Sequence, residues 1–202
     1  IFAVNAETAA MRDEMVTAFV ESAHAEKEAG PVEATPDNAA LETQRDALPS
    51  EEELSALLGV PDVSLDVTGG PGISDWIFEH TEAPGLIGGY MAAFRNPGEL
   101  TGTGSLSLTL FATEADAAAM LDGIRAEEEA EIIRSEFPVA DPLADGRGQV
   151  YNPEPDSHFT DIIGYTGPVL IHVLAFHAAD DDLVDETRSI VEIVVTNLGA
   201  TG

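Results

Sequence analysis

The stretch that decides the fold spans residues 158–178 and reads HFTDIIGYTGPVLIHVLAFHA. Residues 158–165 and 169–178 have the composition of two strands, and Thr166-Gly167 predicts a two-residue hairpin loop between them. The second strand is apolar on both faces apart from His172, which is typical of a central, covered strand. The stretch therefore predicts an antiparallel hairpin at the middle of a sheet.

The same order of elements occurs earlier in the chain. Residues 86–95 and 104–112 alternate like two strands, and Thr113 is a typical N-cap for the helix that follows. The second hairpin is also followed by a helical pattern, over residues 183–198. These units predict an α+β fold with a ββα-ββα pseudo-repeat, in which an antiparallel sheet carries its helices on one face. A ferredoxin-like arrangement that includes a strand at residues 63–67 is the alternative.

The N-terminal part of the chain is predicted to be an amphipathic helix on a tether. Apolar side chains recur at helical spacing within residues 1–30, and the prolines and acids of residues 31–50 predict an acidic linker. Ser50 and Glu53 form a capping-box pattern at the start of a globular domain over residues 51–202. The apolar stripe that the helix would offer to a protein partner consists of Met11, Met15, Val16, Phe19 and Val20.

The charge of the chain is strongly one-sided. Of its 202 residues, 38 are acidic and 8 are basic, so the formal net charge is −30, and Lys27 is the single lysine. This repulsive field excludes a nucleic-acid binder that works by attracting phosphate. Such an acid excess is typical of salt-adapted proteins, in which ions screen the self-repulsion. The hydrophobic fraction of 44% nevertheless supplies a core.

Several chemistries are excluded by what the sequence lacks. Without cysteine there are no disulfides, thiolate metal sites or thiol nucleophiles. The five histidines form no close metal-ligand pair, so we expect no metal and no cofactor. No run of about 18 apolar residues occurs, and we expect no membrane span within this chain.

One polar pair is a candidate for chemistry. If the hairpin loop is Thr166-Gly167, Asp161 lies opposite His172. Such a pair could orient a catalytic or metal-binding histidine, but no Gly-x-Ser-x-Gly motif accompanies it. The simpler interpretation is a carboxylate that satisfies a half-buried structural histidine.

The sequence SLSLTLFATEADA, residues 105–117, is an alternating strand that ends in Phe and leads into a helix. Together with the strand GPVLIHV, residues 167–173, and a terminal helix over residues 187–198, it resembles small exported domains and lipoprotein ectodomains of actinobacteria and haloarchaea. The resemblance covers about residues 85–198 and implies an extracytoplasmic α+β domain. The chain departs from it by having no lipobox cysteine.

These observations favour a non-enzymatic, extracytoplasmic accessory or binding module of a larger assembly in a salt-adapted prokaryote, located outside the cytoplasm or at the cell surface. The partner would be a protein bound through the N-terminal helix. One alternative is an exported or cytosolic hydrolase-like enzyme that uses Asp161 and His172. The other is a small-molecule carrier with a pocket under Trp76, Phe78 and Tyr90. The cytoplasm of a salt-accumulating halophile is the alternative location.

Overall fold

The computed structural model describes residues 36–71, 83–96, 103–127, 134–139, 143–154, 157–177 and 183–200. Within these ranges the helices are α1 (Pro36–Ala47), α2 (Glu51–Leu58), α3 (Glu114–Glu127) and α4 (Val184–Ala200). The strands are β1 (Ser64–Pro71), β2 (Leu86–Arg95), β3 (Thr103–Phe111), β4 (Arg134–Pro138), β5 (Ala144–Glu154), β6 (Ser157–Thr166) and β7 (Val169–His177).

The seven strands form one antiparallel sheet in the order β1-β2-β3-β7-β6-β5-β4. Two meanders, β1-β2-β3 and β4-β5-β6-β7, meet where β3 pairs with β7, with Leu108 opposite Ile171. Both of these side chains are fully buried, as expected for strands that are covered on two faces. The prediction of an antiparallel α+β sheet with β7 at its centre is therefore confirmed.

Alternating side chains give the sheet two different faces. We call the face that carries Leu106, Leu108 and Ile171 the first face, and it packs against α1, α2 and α4. The second face carries Ile163 and Leu170, which pack against α3. Both predicted ββα units are present, as β2-β3-α3 and β6-β7-α4, but their helices lie on opposite faces. The expectation that all helices share one face is therefore wrong for α3.

Helix α3 lies on the second face because an apolar patch there needs cover. Ala117, Met120 and Leu121 of α3 are buried against Phe111 and its neighbours. The patch includes Tyr165, whose hydroxyl donates to Asp145 Oδ2 at 3.2 Å. Burial, followed by the negative charge of Asp145, raises the pKa of Tyr165 above its ordinary value.

Helix α1 differs from the predicted linker over residues 31–50. Residues 36–47 are helical, and Leu41, Gln44 and Ala47 are buried with at most 1% of their surface exposed. Proline at the first helical position, Pro36, is compatible with a helix because its missing N–H would have no partner within the helix. The compact unit accordingly starts at Pro36 and not at residue 51. The predicted helix over residues 1–30 lies outside the described residues.

Helix α2 confirms the predicted capping box. The Ser50 N–H donates to Glu53 Oε2 at 2.8 Å, and the Glu53 N–H donates to Ser50 Oγ at 3.2 Å. The Ser50 hydroxyl also donates to Glu53 Oε2, at 2.8 Å. The bonds that the Ser50 N–H and hydroxyl donate to this carboxylate lower the pKa of Glu53 below its ordinary value of 4.5. Glu51 Oε1 accepts from the Leu65 N–H at 2.9 Å and so connects the helix to β1.

None of the described helices is both long and apolar enough to cross a lipid bilayer.

Substituting Ser50→Ala is expected to lower the free energy of unfolding by about 1 kcal/mol at neutral pH. A carboxyl whose folded pKa is depressed stabilises the fold above its unfolded pKa, and that contribution disappears as the pH falls through the folded pKa. The difference between the wild type and the variant should therefore shrink below pH 4.5. Urea unfolding at neutral and acidic pH measures this. The control is Glu52→Gln, at a nearby exposed position of the same helix. If Glu52→Gln lowered the free energy of unfolding as much as Ser50→Ala does, the capping assignment would be contradicted.

Candidate functional site

The structure brings the two residues of the predicted polar pair together on the second face. His172 lies on β7 and Asp161 on β6, and His172 Nε2 is 2.9 Å from Asp161 Oδ1. The two side chains are only 13% and 12% exposed. A buried carboxylate needs such a partner. A histidine that lies between Leu170 and Leu174 along the same face of β7 needs one as well.

The register of the hairpin is not the one that the sequence predicts. The last pair is Thr166 with Val169, so the two-residue loop is Gly167-Pro168, and Asp161 lies opposite Leu174. The contact between Asp161 and His172 is therefore diagonal. Gly167 has a φ of +52°, and proline holds a negative φ at the next position, which fits a hairpin turn that begins with glycine. The predicted loop Thr166-Gly167 is wrong by one position.

A serine on the neighbouring strand β3 extends the pair to a row of three polar side chains. Ser107 of β3 lies directly opposite His172, so Ser107, His172 and Asp161 follow one another across three neighbouring strands. The residue types match those of a hydrolytic triad. Ser107 is only 3% exposed, however, and a nucleophile must reach its substrate. This burial favours a structural role for the row.

We expect the His172→Ala variant to lose about 2–3 kcal/mol of unfolding free energy, because Asp161 would keep its burial and lose this partner. His172→Gln should lose less, since its amide can still donate to the carboxylate. Urea unfolding of these variants, of Asp161→Asn and of the double variants gives the coupling energy.

The hydrolase alternative makes the opposite prediction for these variants. If His172→Gln abolished a measurable hydrolytic activity while its unfolding midpoint stayed at the wild-type value, the pair would be catalytic and not structural. A coupling energy near zero between the two positions would also contradict the structural role.

A second candidate site is a surface cavity, widely open to solvent, at one end of the first face. It has a volume of about 470 Å³ and lies between α1, α4 and the β6–β7 turn. Its size is within the range of pockets that hold small molecules. The walls are formed by Ala40, Thr43, Gln44, Leu110, Thr166, Gly167, Val169, Val195, Leu198 and Gly199.

Gln44 is the unusual member of this wall. It is 1% exposed, and neither its Oε1 nor its Nε2 has a hydrogen-bond partner in the part of the chain that the structure describes. A buried amide without partners costs about 1–3 kcal/mol. For comparison, Gln149 on β5 is 2% exposed, and with its amide oxygen turned toward Arg147 it accepts from Nε at 2.9 Å. Gln44 is therefore a buried polar group that the described fold leaves unsatisfied.

The other sequence-based candidates fall in different places. The predicted interaction stripe, Met11, Met15, Val16, Phe19 and Val20, lies outside the described residues, as do Trp76 and Phe78. Tyr90 is buried on the first face, and its hydroxyl donates to Glu42 of α1 at 3.4 Å. Within the described ranges, no three His, Asp or Glu side chains gather where they could hold a metal ion.

The sequence-based prediction missed the cavity because residues 31–50 were assigned to a linker. A signal was present: Leu41, Gln44 and Leu48 recur at helical spacing, which marks a buried helix face with a polar residue at its centre.

The fold is similar to that of a solved mycobacterial structure. The extracellular domain of PknH from Mycobacterium tuberculosis superposes with a TM-score of 0.57 at 11% identity, over 79% of this chain and 96% of that domain. At this identity the likeness is one of fold. No model of a known protein family matches the chain, and no curated protein matches it.

Proposed function

We propose that this chain is a non-enzymatic, extracytoplasmic binding module that serves as an accessory subunit of a larger assembly in a salt-adapted prokaryote. The observation that carries the proposal is the fold, which is shared over nearly the full length of an extracellular domain. That domain comes from a mycobacterium, and the resemblance that the sequence carries also includes exported domains of actinobacteria.

A non-enzymatic role is supported by the state of the polar pair. His172 and Asp161 contact each other and are largely buried, and Ser107 beside them is buried too. Such a row stabilises a sheet without contacting a substrate. The excess of acidic residues supports the salt-adapted part of the proposal, because the ions of concentrated salt screen the repulsion among these acids.

The protein partner would bind the stripe of the N-terminal helix, Met11, Met15, Val16, Phe19 and Val20. An amphipathic helix with five such side chains offers an apolar area that proteins keep out of water. The surrounding acids disfavour a membrane surface as the binding site, because interfacial helices carry lysine and arginine on their polar side.

The location is tested on intact cells of the source organism that express the full-length protein with an epitope at its C-terminus. Added protease should remove the epitope from intact cells while a cytoplasmic marker survives. Survival of the epitope until the cells are lysed would contradict an extracytoplasmic location and favour the cytoplasm of a salt-accumulating cell.

Partner binding is tested with chains 1–202 and 31–202, cross-linked in the cell envelope at constant salt. Only the longer chain should form a complex of defined mass, and Phe19→Asp should remove that complex without changing the unfolding midpoint. If the two chains show the same partners, and chain 31–202 is markedly less stable, the helix belongs to the fold and the accessory-subunit proposal fails.

A further inference from the structure

The cavity between α1 and α4 combines two properties that rarely occur together. Most of its wall is aliphatic, with Leu110, Val169, Val195 and Leu198, yet it borders a glutamine whose amide has no partner among the described residues. The sheet closes the cavity from one side, and α1 and α4 approach each other through the Asn197 Nδ2 donor and the Ala47 carbonyl oxygen at 3.3 Å. An aliphatic cavity of this kind alone would suit any apolar molecule. The amide adds a demand for a specific polar group.

We propose that this cavity binds a neutral small molecule that carries a primary amide or a lactam on an apolar body, and that this amide pairs with the Gln44 side chain. The proposal concerns a different part of the molecule from the N-terminal stripe and does not depend on the partner proposed above. On binding, the Gln44 amide turns about its side-chain torsions toward the cavity, and both of its polar atoms gain a partner.

The choice of an amide follows from the chemistry of glutamine. Its Oε1 accepts and its Nε2 donates, side by side in one plane. A ligand that presents a carbonyl and an N–H on the same edge, as primary amides and lactams do, satisfies both atoms at once through a pair of hydrogen bonds. A ketone lacks the donor. A carboxylate offers acceptors alone and would have to approach a protein of net charge −30.

The size and the walls of the cavity set the rest of the molecule. A volume of about 470 Å³ holds a single small ring with substituents, and the aliphatic walls favour an uncharged, apolar ring. Thr43 and Thr166 provide additional hydroxyl groups at the wall. The Thr43 hydroxyl donates to the Ala39 carbonyl at 3.1 Å, so its oxygen can still accept from a ligand.

The test is an NMR titration of the full chain at constant high salt with benzamide, which has the proposed amide on an apolar ring. Benzamide should shift the Gln44 side-chain amide and the backbone amides of Gly167 and Gly199 along one saturable curve. Acetophenone, which lacks the N–H, and benzoate, which is anionic, should bind at least about tenfold more weakly.

Three variants locate the binding. Gln44→Leu keeps the size of the side chain, should fold with an equal or higher unfolding midpoint, and should weaken benzamide binding at least about tenfold. Ala40→Trp fills the cavity from an exposed helix position and should abolish binding. Gln149→Leu removes a buried amide away from the cavity and should leave benzamide binding unchanged when measured well below its own unfolding midpoint.

Two results would overturn the proposal. The first is the absence of a saturable shift with benzamide and with two further amides, the lactam 2-piperidone and the primary amide nicotinamide. This result would mean that the cavity holds water alone. The second is equal affinity for benzamide and acetophenone, or an unchanged affinity for benzamide in Gln44→Leu, which would mean that the cavity takes apolar rings without using the amide.

Discussion

Gly104→Ala is expected to lower the free energy of unfolding by about 3 kcal/mol, although it adds only one methyl group. Gly104 lies on β3 at the centre of the sheet, next to both β2 and β7. A Cβ atom at this position would clash with the Leu174 carbonyl oxygen. It would also lie 2.5 Å from Phe94 Cζ, which is closer than van der Waals contact allows. Phe94 is fully buried, so neither its ring nor the neighbouring strand can move away without disturbing the core.

The matched control is the same substitution at Gly199. This residue lies in α4, and a Cβ there would meet nothing within 4 Å. Alanine should stabilise the helix by up to about 0.5–1 kcal/mol, since glycine loses more backbone entropy on folding. Urea unfolding of the two variants at one salt concentration compares them. Losses of equal size at both positions would contradict the close strand approach at Gly104.

The second large effect is expected from salt. Between about 0.1 M and 1 M KCl the screening length falls from about 10 Å to 3 Å, and the repulsion among the excess acids falls with it. For a chain of net charge −30 we expect a gain of about 3 kcal/mol, which corresponds to a rise of about 6–12 °C in the unfolding midpoint. Thermal unfolding followed by circular dichroism measures this rise.

A charge variant separates screening from other salt effects. Asp46, Asp66 and Glu192 are exposed on α1, β1 and α4. Replacing all three with their amides should raise the midpoint in low salt and make its dependence on KCl less steep. A midpoint that stays flat or falls between low and high salt in the wild type would contradict the salt-adaptation hypothesis.

Sequence patterns predict those elements whose burial is strong. Strand β7 is apolar on both faces and was located to within one residue, and β2, β3, β6 and α4 were found in the same way. Strands β4 and β5 are absent from the sequence-based prediction. Strand β4 lies at the edge of the sheet, where Ser135, Glu136 and Pro138 are exposed. Strand β5 lies between β4 and β6, and its sequence ADGRGQVYNPE has no apolar alternation that would mark a buried face. Edge strands gain their structure from pairing with a neighbour, which a local pattern does not contain.

The two candidate sites also differ in how far a local sequence pattern predicts them. The Asp161 and His172 contact was predicted from the hairpin, but the loop is displaced by one residue because both Thr166-Gly167 and Gly167-Pro168 satisfy the local turn rules. Gln44 was missed because proline and acidic residues suggested a linker. Its burial depends on packing of α1 against α4, nearly 150 residues later in the chain, where Asn197 bonds to the Ala47 carbonyl.

The junction of the two meanders also governs how the chain reaches its native state. Thr103 pairs with Phe176 and Leu110 with Val169, so every contact of this junction spans a long loop in sequence. Closing such loops costs chain entropy before any contact is gained, which slows folding. During synthesis the first meander is complete long before β7 emerges, and β3 then has an unpaired edge that other chains can join. In a nascent chain, the edge of β3 therefore stays open to aggregation until β7 has emerged.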